Sequence, residues 1–196
     1  NDRLGDCVVA GSAHALGVWS ANDSDSGGEV QPADGEVIAA YEQWCGPGDN
    51  GCYIPVVLDR LVRDGLRANG QPHRLAGYAA IEGRDAVTVK VAIALFGCVK
   101  LGLNLPGEWT QAVVWDITNS SIVGGHDVTG VGYDARGVYV ASWGRVYLLT
   151  WRAHADRRFV DECYVMLSPD WSNNDQLAPS GVNVPALVDA LRVFAG

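Results

Sequence analysis

The apolar residues in the first half of the chain recur every three or four positions, the spacing of one buried face of an α-helix. Aspartates stand at the starts of several of these runs, where a carboxylate caps exposed backbone amides. Polar, glycine-rich stretches at residues 22–28 and 45–52 read as loops. We predict four helices in this half: Asp6–Ser20, Asp34–Trp44, a run from Pro55 to a cap at Gly65, and Asp85–Phe96.

The period changes toward two from Cys98 onward, which is the alternation of a half-buried strand. Residues 134–137 supply a hairpin turn between two of the alternating runs. A short helix is expected over Trp151–Phe159. We predict strands over Cys98–Leu105, Asp127–Tyr133, Val138–Ser142, Val146–Thr150 and Glu162–Leu167.

Helices followed by an antiparallel sheet predict an α+β domain in two lobes. The N-terminal lobe is helical, the C-terminal lobe is an antiparallel β-sheet, and a cleft is expected between them. The length of 196 residues suits one such domain over residues 1–170. Residues 171–196 are predicted to form a loop and an amphipathic helix, from about Pro185 to Phe194, packed on that domain.

Charge and hydropathy narrow the classes of function. The net charge is −9, and the basic residues are 12 arginines and 2 lysines. Nucleic acids and anionic membranes are bound by clustered basic side chains, so we predict neither as a partner. The apolar runs are also shorter than the roughly 18 residues of a membrane-spanning helix.

Five cysteines leave at least one thiol unpaired within the chain. Cys7 is the predicted free thiol. The other four, Cys45, Cys52, Cys98 and Cys163, allow two disulfides in three connectivities, or four buried thiols.

Cys7 and His126 are the candidate reactive pair. Cys7 lies at the start of the first predicted helix, where exposed amides and the helix dipole favour a thiolate. His126 is expected just before a strand, behind Gly124 and Gly125, which leave room for close approach. Such a pair suits nucleophilic acyl transfer: the imidazole takes the thiol proton and later returns it to the leaving group. The Cys7 amide then donates to the oxyanion.

Each of these residues also has a plain structural interpretation, because buried cysteines and histidines more often pack than react. Asp127, beside His126, is predicted to point away from it on an extended strand and to be structural. The remaining histidines show no metal-ligand spacing, and no glycine-rich loop suits a phosphate, so no metal or cofactor is predicted. The tryptophans Trp109, Trp115 and Trp143 suit either a core or the lining of a cleft.

Several segments, in order, resemble the papain-like cysteine peptidases over roughly residues 1–167. Asn1-x5-Cys7 is similar to the family's Gln-x5-Cys, in which the Gln completes the oxyanion hole. Asp49-Asn50-Gly51-Cys52 is similar to its Gly-Cys-x-Gly-Gly segment. Residues 125–133, with the sequence GHDVTGVGY, resemble the strand that bears the catalytic His. Ser142-Trp143-Gly144 resembles the Ser-Trp-Gly after the catalytic Asn, and Glu162–Leu167 takes the place of the closing strand.

The resemblance implies a papain-like two-lobed fold, as in a divergent bacterial or phage-type member, and it marks three departures. Asn1 is one methylene shorter than Gln, and Val8 replaces the Trp that usually follows the nucleophile. Alignment on Ser-Trp-Gly puts Ala141 at the position of the Asn that orients the His ring. Counting from the strand instead puts Ser142 there, and a hydroxyl can accept a hydrogen bond from imidazole.

The expected function is a thiol hydrolase that cleaves a peptide or isopeptide bond in a peptide or protein substrate. Cys7 is the expected nucleophile, His126 the base and acid, Ser142 the orienting group, and Asn1 an oxyanion donor beside the Cys7 amide. The alternative is a weakly active or inactive papain-fold module with a structural or binding role, for example in a virus particle or on a cell surface, with a protein assembly partner. The missing Asn favours that alternative.

Overall fold

The computed structural model of the chain describes residues 3–22, 28–173 and 175–195, with side chains as far as residue 190. The helices predicted in the first half are present, and their ends agree to within a turn. Two short 3-10 helices cover Gly107–Thr110 and Pro169–Trp171. The α-helices of the described residues are α1 (Cys7–Asn22), α2 (Asp34–Trp44), α3 (Ile54–Arg63), α4 (Ala86–Phe96), α5 (Trp151–His154) and α6 (Val184–Ala195).

A sheet of seven strands forms the second lobe. The strands of the described residues are β1 (Leu66–Ala68), β2 (Gln71–His73), β3 (Gly77–Ala80), β4 (Val99–Pro106), β5 (Val114–Trp115), β6 (Ile122–Tyr133), β7 (Gly137–Ser142), β8 (Arg145–Thr150) and β9 (Val160–Leu167). The sheet order is β3-β9-β4-β6-β7-β8-β5, and β1 pairs with β2 separately. Its neighbours are antiparallel except β5 and β8, which run parallel.

Three sequence predictions about elements are wrong in detail. The first half contains β1, β2 and β3 besides helices; these are strands of three or four residues, too short to show a period. The short helix α5 ends at His154 instead of Phe159. Strand β6 starts at Ile122, so His126 lies within a strand and not before one. Residues 122–125 are exposed and show no alternation, but they pair with the end of β4.

The fold has two apolar cores, one in each lobe. The first packs α1, α2 and α3 together, with Trp19, Tyr41 and Trp44 among its buried members. The second lies against the sheet and α4, around Trp109 and Trp115. Helix α1 belongs to the first core and lies against β6 of the sheet. Its N-terminal end is therefore placed at the junction of the lobes.

The C-terminal segment contacts the helical lobe and α4. Trp171 is buried, and its indole N–H donates to the carbonyl oxygen of Leu95 at 3.0 Å. The Ser180 hydroxyl donates to the same oxygen at 2.9 Å. Ala178 and Val184 are also buried. No helix among the residues that the structure describes has the length and apolar character needed to cross a membrane.

Candidate active site

Cys7 is the first residue of α1 and lies against the strand that carries His126. The carbonyl oxygen of Asp6 accepts the amides of Val9 and Ala10 at 3.0 and 2.9 Å, which starts the helix. The Cys7 Sγ accepts the backbone N–H of Asp127 at 3.5 Å. Because Asp127 follows His126 directly, the sulfur lies beside the main chain of the histidine strand.

His126 is held by Ser142 on the neighbouring strand. The Ser142 Oγ lies 2.7 Å from the His126 Nε2, and the two residues are only 2% and 7% exposed. Ala141 pairs with Thr129 across the same two strands, and its methyl group offers no acceptor. Of the two alignments left open by the sequence, the geometry therefore has the hydroxyl of Ser142 at the ring.

Trp143 covers the imidazole. Its ring is stacked on that of His126 with 4.4 Å between centroids and 17° between planes. Trp143 and Gly144 form the two-residue turn between β7 and β8, with φ of 45° and 71°. Positive φ at both positions is the geometry of a tight hairpin turn, in which a tryptophan is strained and a glycine is not. The strain accompanies the placement of the indole over His126.

The structure brings Cys7 and His126 to the seam between the lobes, where α1 lies against β6. It shows no hydrogen bond between the two residues among those described. Nε2 of the ring is engaged by Ser142, so Nδ1 is the nitrogen left for a thiol. This arrangement gives a neutral imidazole one fixed nitrogen and one nitrogen for proton transfer.

The expected thiolate character of Cys7 is not found. Burial raises the pKa of the Cys7 thiol above its ordinary value, and the negative charge of Asp127 raises it further. The Asp127 amide and the Lys100 cation oppose these effects without overcoming them. Burial also lowers the His126 pKa to about 4. The resting pair at neutral pH is therefore a thiol and a neutral imidazole, and not an ion pair.

A buried ion pair lies under the start of α1. The Lys100 Nζ is 2.9 Å from Asp127 Oδ2, and the two side chains are 0% and 1% exposed. Lys100 also donates to the carbonyl oxygen of Val8 at 2.7 Å and to the Ser12 Oγ at 3.1 Å. The buried position of Asp127 agrees with the structural role expected for it, but Lys100 was not among the residues predicted from the sequence. The signal for Lys100 is a lone lysine in the apolar run of a predicted strand.

A loop closed by a disulfide braces the segment just before Cys7. Asp49 Oδ1 accepts the Gly5 amide at 2.6 Å and the Tyr41 hydroxyl at 2.7 Å. The loop that carries Asp49 is closed by a disulfide between Cys45 and Cys52. One of the bonds allowed by the sequence is thus formed, while Cys98 and Cys163 remain buried free thiols.

The predicted cleft is present. It has a volume of about 1280 Å³ and runs between the lobes, along α1 and α2 to the turn at Trp143 and Gly144. Asp6 and His14 line it on the side of α1. Cys7 and His126 are not among its lining residues, whereas their neighbours Asp6 and Trp143 are.

The structure gives the remaining candidate residues other surroundings, except Asn1, which lies outside the described residues. His73 bonds to Asp170 through Nδ1 at 2.9 Å, and His154 is fully buried beside Trp151. Trp109 and Trp115 stack in the core, so only Trp143 of the three candidate tryptophans faces the cleft. In the part of the chain described, no group of three or more histidine, cysteine or acidic side chains is placed to hold a metal ion.

Comparison with solved structures gives this arrangement a known architecture. A cysteine protease from Carica candamarcensis, CMS1MS2 in complex with E-64, matches 83% of this chain and 88% of its own, with a TM-score of 0.63 and 13% identity. The chain has the papain-like fold. Procathepsin B S9 from Trypanosoma congolense matches with a TM-score of 0.63 and 11% identity, over 81% of this chain and 67% of its own. Procathepsin L2 from the larval midgut of Tenebrio molitor gives 0.58 and 14%, over 82% and 61%.

The papain-like fold confirms the predicted α+β class in two lobes. No protein-family model matches the sequence, and no curated protein matches it at a significant level. At identities of 11 to 16% the likeness shows the fold and leaves the activity to the chemistry of the site.

Proposed function

We propose that the chain is a papain-like thiol hydrolase that cleaves a peptide or isopeptide bond through Cys7 and His126. The observation that carries the proposal is the seam itself: the Cys7 sulfur lies 3.5 Å from the amide that follows His126, and Ser142 holds the far nitrogen of the ring at 2.7 Å. The cleft beside this seam is large enough for an extended peptide segment.

The first half of the reaction starts from a neutral pair. The His126 Nδ1 takes the proton of the Cys7 thiol as the sulfur attacks the carbonyl carbon of the scissile bond. The oxyanion is met by the amide of Cys7, one of the first amides of α1 that have no acceptor within the helix. The intermediate then collapses, the C–N bond breaks, and the amine leaves with the proton from His126. A thioester remains on Cys7.

Hydrolysis of the thioester completes the cycle. His126 takes a proton from water as the water oxygen attacks the thioester carbon, and the C–S bond breaks. The acid product leaves, and the proton returns to Cys7. Asn1 would add a second oxyanion donor through its side-chain amide. Because the His126 pKa is lowered to about 4, the ring is available as a base across the neutral range.

The two other free cysteines provide internal controls for the test. Treatment with iodoacetamide near pH 7, followed by peptide mapping, should modify Cys7 well before Cys98 or Cys163. Burial raises the pKa of Cys163 to about 12 and that of Cys98 further. Alkylation of Cys7 at the rate of these buried thiols would contradict the proposal. Replacement of His126 by Ala should bring Cys7 down to that rate.

The second candidate is a papain-fold module with a structural or binding role. The observation in its favour is the raised Cys7 pKa together with a serine in place of the orienting asparagine. The variant Cys7→Ala separates the two. Loss of cleavage on a peptide library supports the hydrolase, whereas a wild-type protein that cleaves nothing, and a variant that assembles with a partner as the wild type does, support the module.

A further inference from the structure

The buried pair of Lys100 and Asp127 closes a ring of bonds around Cys7. From the Cys7 sulfur, the ring passes to the Asp127 amide at 3.5 Å. The Asp127 carboxylate then meets the Lys100 Nζ at 2.9 Å, and the Nζ donates to the Val8 carbonyl at 2.7 Å. Val8 is covalently joined to Cys7. The ring therefore ties the first turn of α1 to two strands of the sheet, at the residue next to His126.

We propose that Lys100 and Asp127 are positioning residues, which hold the Cys7 sulfur at the strand that carries His126. The inference rests on the proposed function, since only a reactive pair needs this placement. Neither side chain lines the cleft, so their action is through Cys7 and not on a substrate.

Every donor of Lys100 has a partner. Its three N–H groups meet Asp127 Oδ2, the Val8 carbonyl and the Ser12 Oγ, which is the full capacity of an ammonium group. Such complete use fixes the position of the Nζ, and with it the position of the Val8 carbonyl. The start of α1 thus has its depth and rotation set by one cation.

Helix α1 is shaped to accept the pair. A Cβ on Gly11 would lie 2.2 Å from Asp127 Oδ2 and 3.2 Å from the Lys100 Nζ. The absence of a side chain at Gly11 lets the helix backbone lie directly on the ion pair. Two residues further along β6, the Thr129 hydroxyl donates to the Gly11 carbonyl at 2.6 Å.

Stability alone does not explain a pair of this kind. Removal of two charges from water costs several kcal/mol per ion, and well-packed apolar replacements are often as stable or more so. The Asp127 Oδ1 also has no hydrogen-bond partner among the described residues. What the pair supplies, and an apolar pair does not, is directional bonding to the Val8 carbonyl and a fixed conformation of β6 at the sulfur.

The charges around Cys7 decide which measurement can report its positioning. Asp127 and Asp6 raise the pKa of the thiol, and the Lys100 cation lowers it. Burial raises the pKa of Asp127, the Lys100 cation lowers it, and the negative charge of Glu162 on β9 raises it further. Positioning shows in the rate of Cys7 alkylation at pH 7 divided by its plateau rate at high pH. Placement beside a base raises that ratio, because His126 can take the thiol proton at pH 7, whereas exposure of the sulfur changes both rates alike.

The test compares wild type with Lys100→Met/Asp127→Leu, in urea unfolding and in alkylation from pH 5 to 10. We expect a folded double variant of similar stability whose ratio falls about tenfold or more, because displacements near 1 Å cost that much in reactivity. Thr129→Val is the matched control, since it removes a tie between the same strand and helix away from Cys7, and its ratio should equal that of wild type. Asp127→Asn keeps an acceptor for Lys100 and removes the negative charge that raises the Cys7 pKa, so the titration midpoint should move to lower pH and the ratio should not fall below that of wild type.

A folded double variant with the wild-type ratio overturns the inference and leaves the proposed function standing. Wild-type Cys7 that reacts no faster than Cys98 and Cys163 overturns both. If the double variant does not fold, Ser12→Ala decides, since it removes only one acceptor of Lys100. A ratio lowered about threefold would support the inference, and an unchanged ratio would overturn it.

Discussion

The Ser142 Oγ lies 2.7 Å from the His126 Nε2, inside the second lobe, and leaves Nδ1 as the other ring nitrogen. The two residues belong to adjacent antiparallel strands, β6 and β7, so the contact is set by strand pairing and not by loop conformation. A hydroxyl both donates and accepts, so it can satisfy the ring in its neutral form and in its protonated form. The contact can therefore hold the imidazole in both of the protonation states that the proposed reaction requires.

Removal of this hydroxyl should weaken catalysis more than it weakens the fold. Ser142→Ala leaves a buried ring nitrogen without its partner, which costs about 1–3 kcal/mol of unfolding free energy. We expect the hydrolysis rate to fall about tenfold or more, because a misoriented ring is a poor base. Peptide hydrolysis and urea unfolding check the two effects.

The double variant Ala141→Ser/Ser142→Ala tests the alignment, since a hydroxyl one residue earlier points to the other face of β7. Recovery of activity in it would contradict this account.

The strained turn allows the stack on His126 to be tested without loss of the fold. Asn-Gly is the favoured pair in this turn, so Trp143→Asn relieves strain of about 1–3 kcal/mol and offsets part of the lost aromatic packing. With the indole gone, burial no longer holds the His126 pKa near 4, and the pKa should rise toward its ordinary value of 6.5. NMR titration of the ring measures the pKa. Trp143→Phe retains an aromatic cover and is the control; an unchanged His126 pKa in Trp143→Asn would show that the stack does not shield the ring.

Two buried histidines should make the protein sensitive to acid. Burial lowers the pKa of both His126 and His154 to about 4, below the ordinary value of 6.5. The unfolded chain then binds more protons than the folded chain between these values. The stabilising contribution is full above about pH 6.5 and is lost as the pH falls through about 4. Urea unfolding at a series of pH values measures the acid limb.

His154 provides the variant for that measurement. Both of its ring nitrogens are buried and have no hydrogen-bond partner among the described residues. His154→Leu removes an unsatisfied polar group, so the free energy of unfolding should rise by about 1 kcal/mol and the acid limb should flatten. Alkylation of Cys7 should stay as in wild type. A steeper acid limb in the variant would rule out His154 as a source of the acid sensitivity.

Two helical glycines are expected to respond in opposite directions to the same substitution. Gly11→Ala places a methyl group against the Asp127 carboxylate, and we expect a loss of about 3 kcal/mol in unfolding free energy, since a packed core resists added volume. Gly35 lies in α2 with open space around it, so Gly35→Ala should stabilise by up to about 1 kcal/mol. Thermal denaturation of both variants compares them. Equal changes in unfolding free energy for the two variants would mean that helix propensity outweighs the contact of the new methyl group with the ion pair.

Much of this architecture could be predicted from periodicity, and the failures have physical causes. The helices α2, α3 and α4 follow from local patterns, since each buries one face, whereas α1 and β4 are buried on nearly all sides and follow from their apolar runs. The start of β6 could not be predicted in this way, because residues 122–125 are exposed and pair with β4, which is distant in the sequence. The pairing of Cys45 with Cys52 likewise depends on how the loop returns.

The candidate site likewise has features that the local sequence predicts and features that depend on distant contacts. Cys7 and His126 are chemically conspicuous, and their elements could be placed from the sequence. The electrostatics could not, because a helix terminus favours the thiolate locally while burial and Asp127 act across the lobe junction. The role of Lys100 depends on three partners from two distant segments, Val8 and Ser12 on α1 and Asp127 on β6. No local pattern links them.

Enclosure of Lys100 has a practical outcome for handling the protein. The sequence has two lysines, and with Lys100 wholly inaccessible, Lys90 is the side-chain amine left for acylating reagents. Lys90 lies on α4, over the ring of Trp151, and α4 contributes no residue to the cleft lining. Of the lysine side chains, a fluorophore or surface tether coupled through an activated ester should therefore modify Lys90 alone in the folded molecule, with the groove left open to solution.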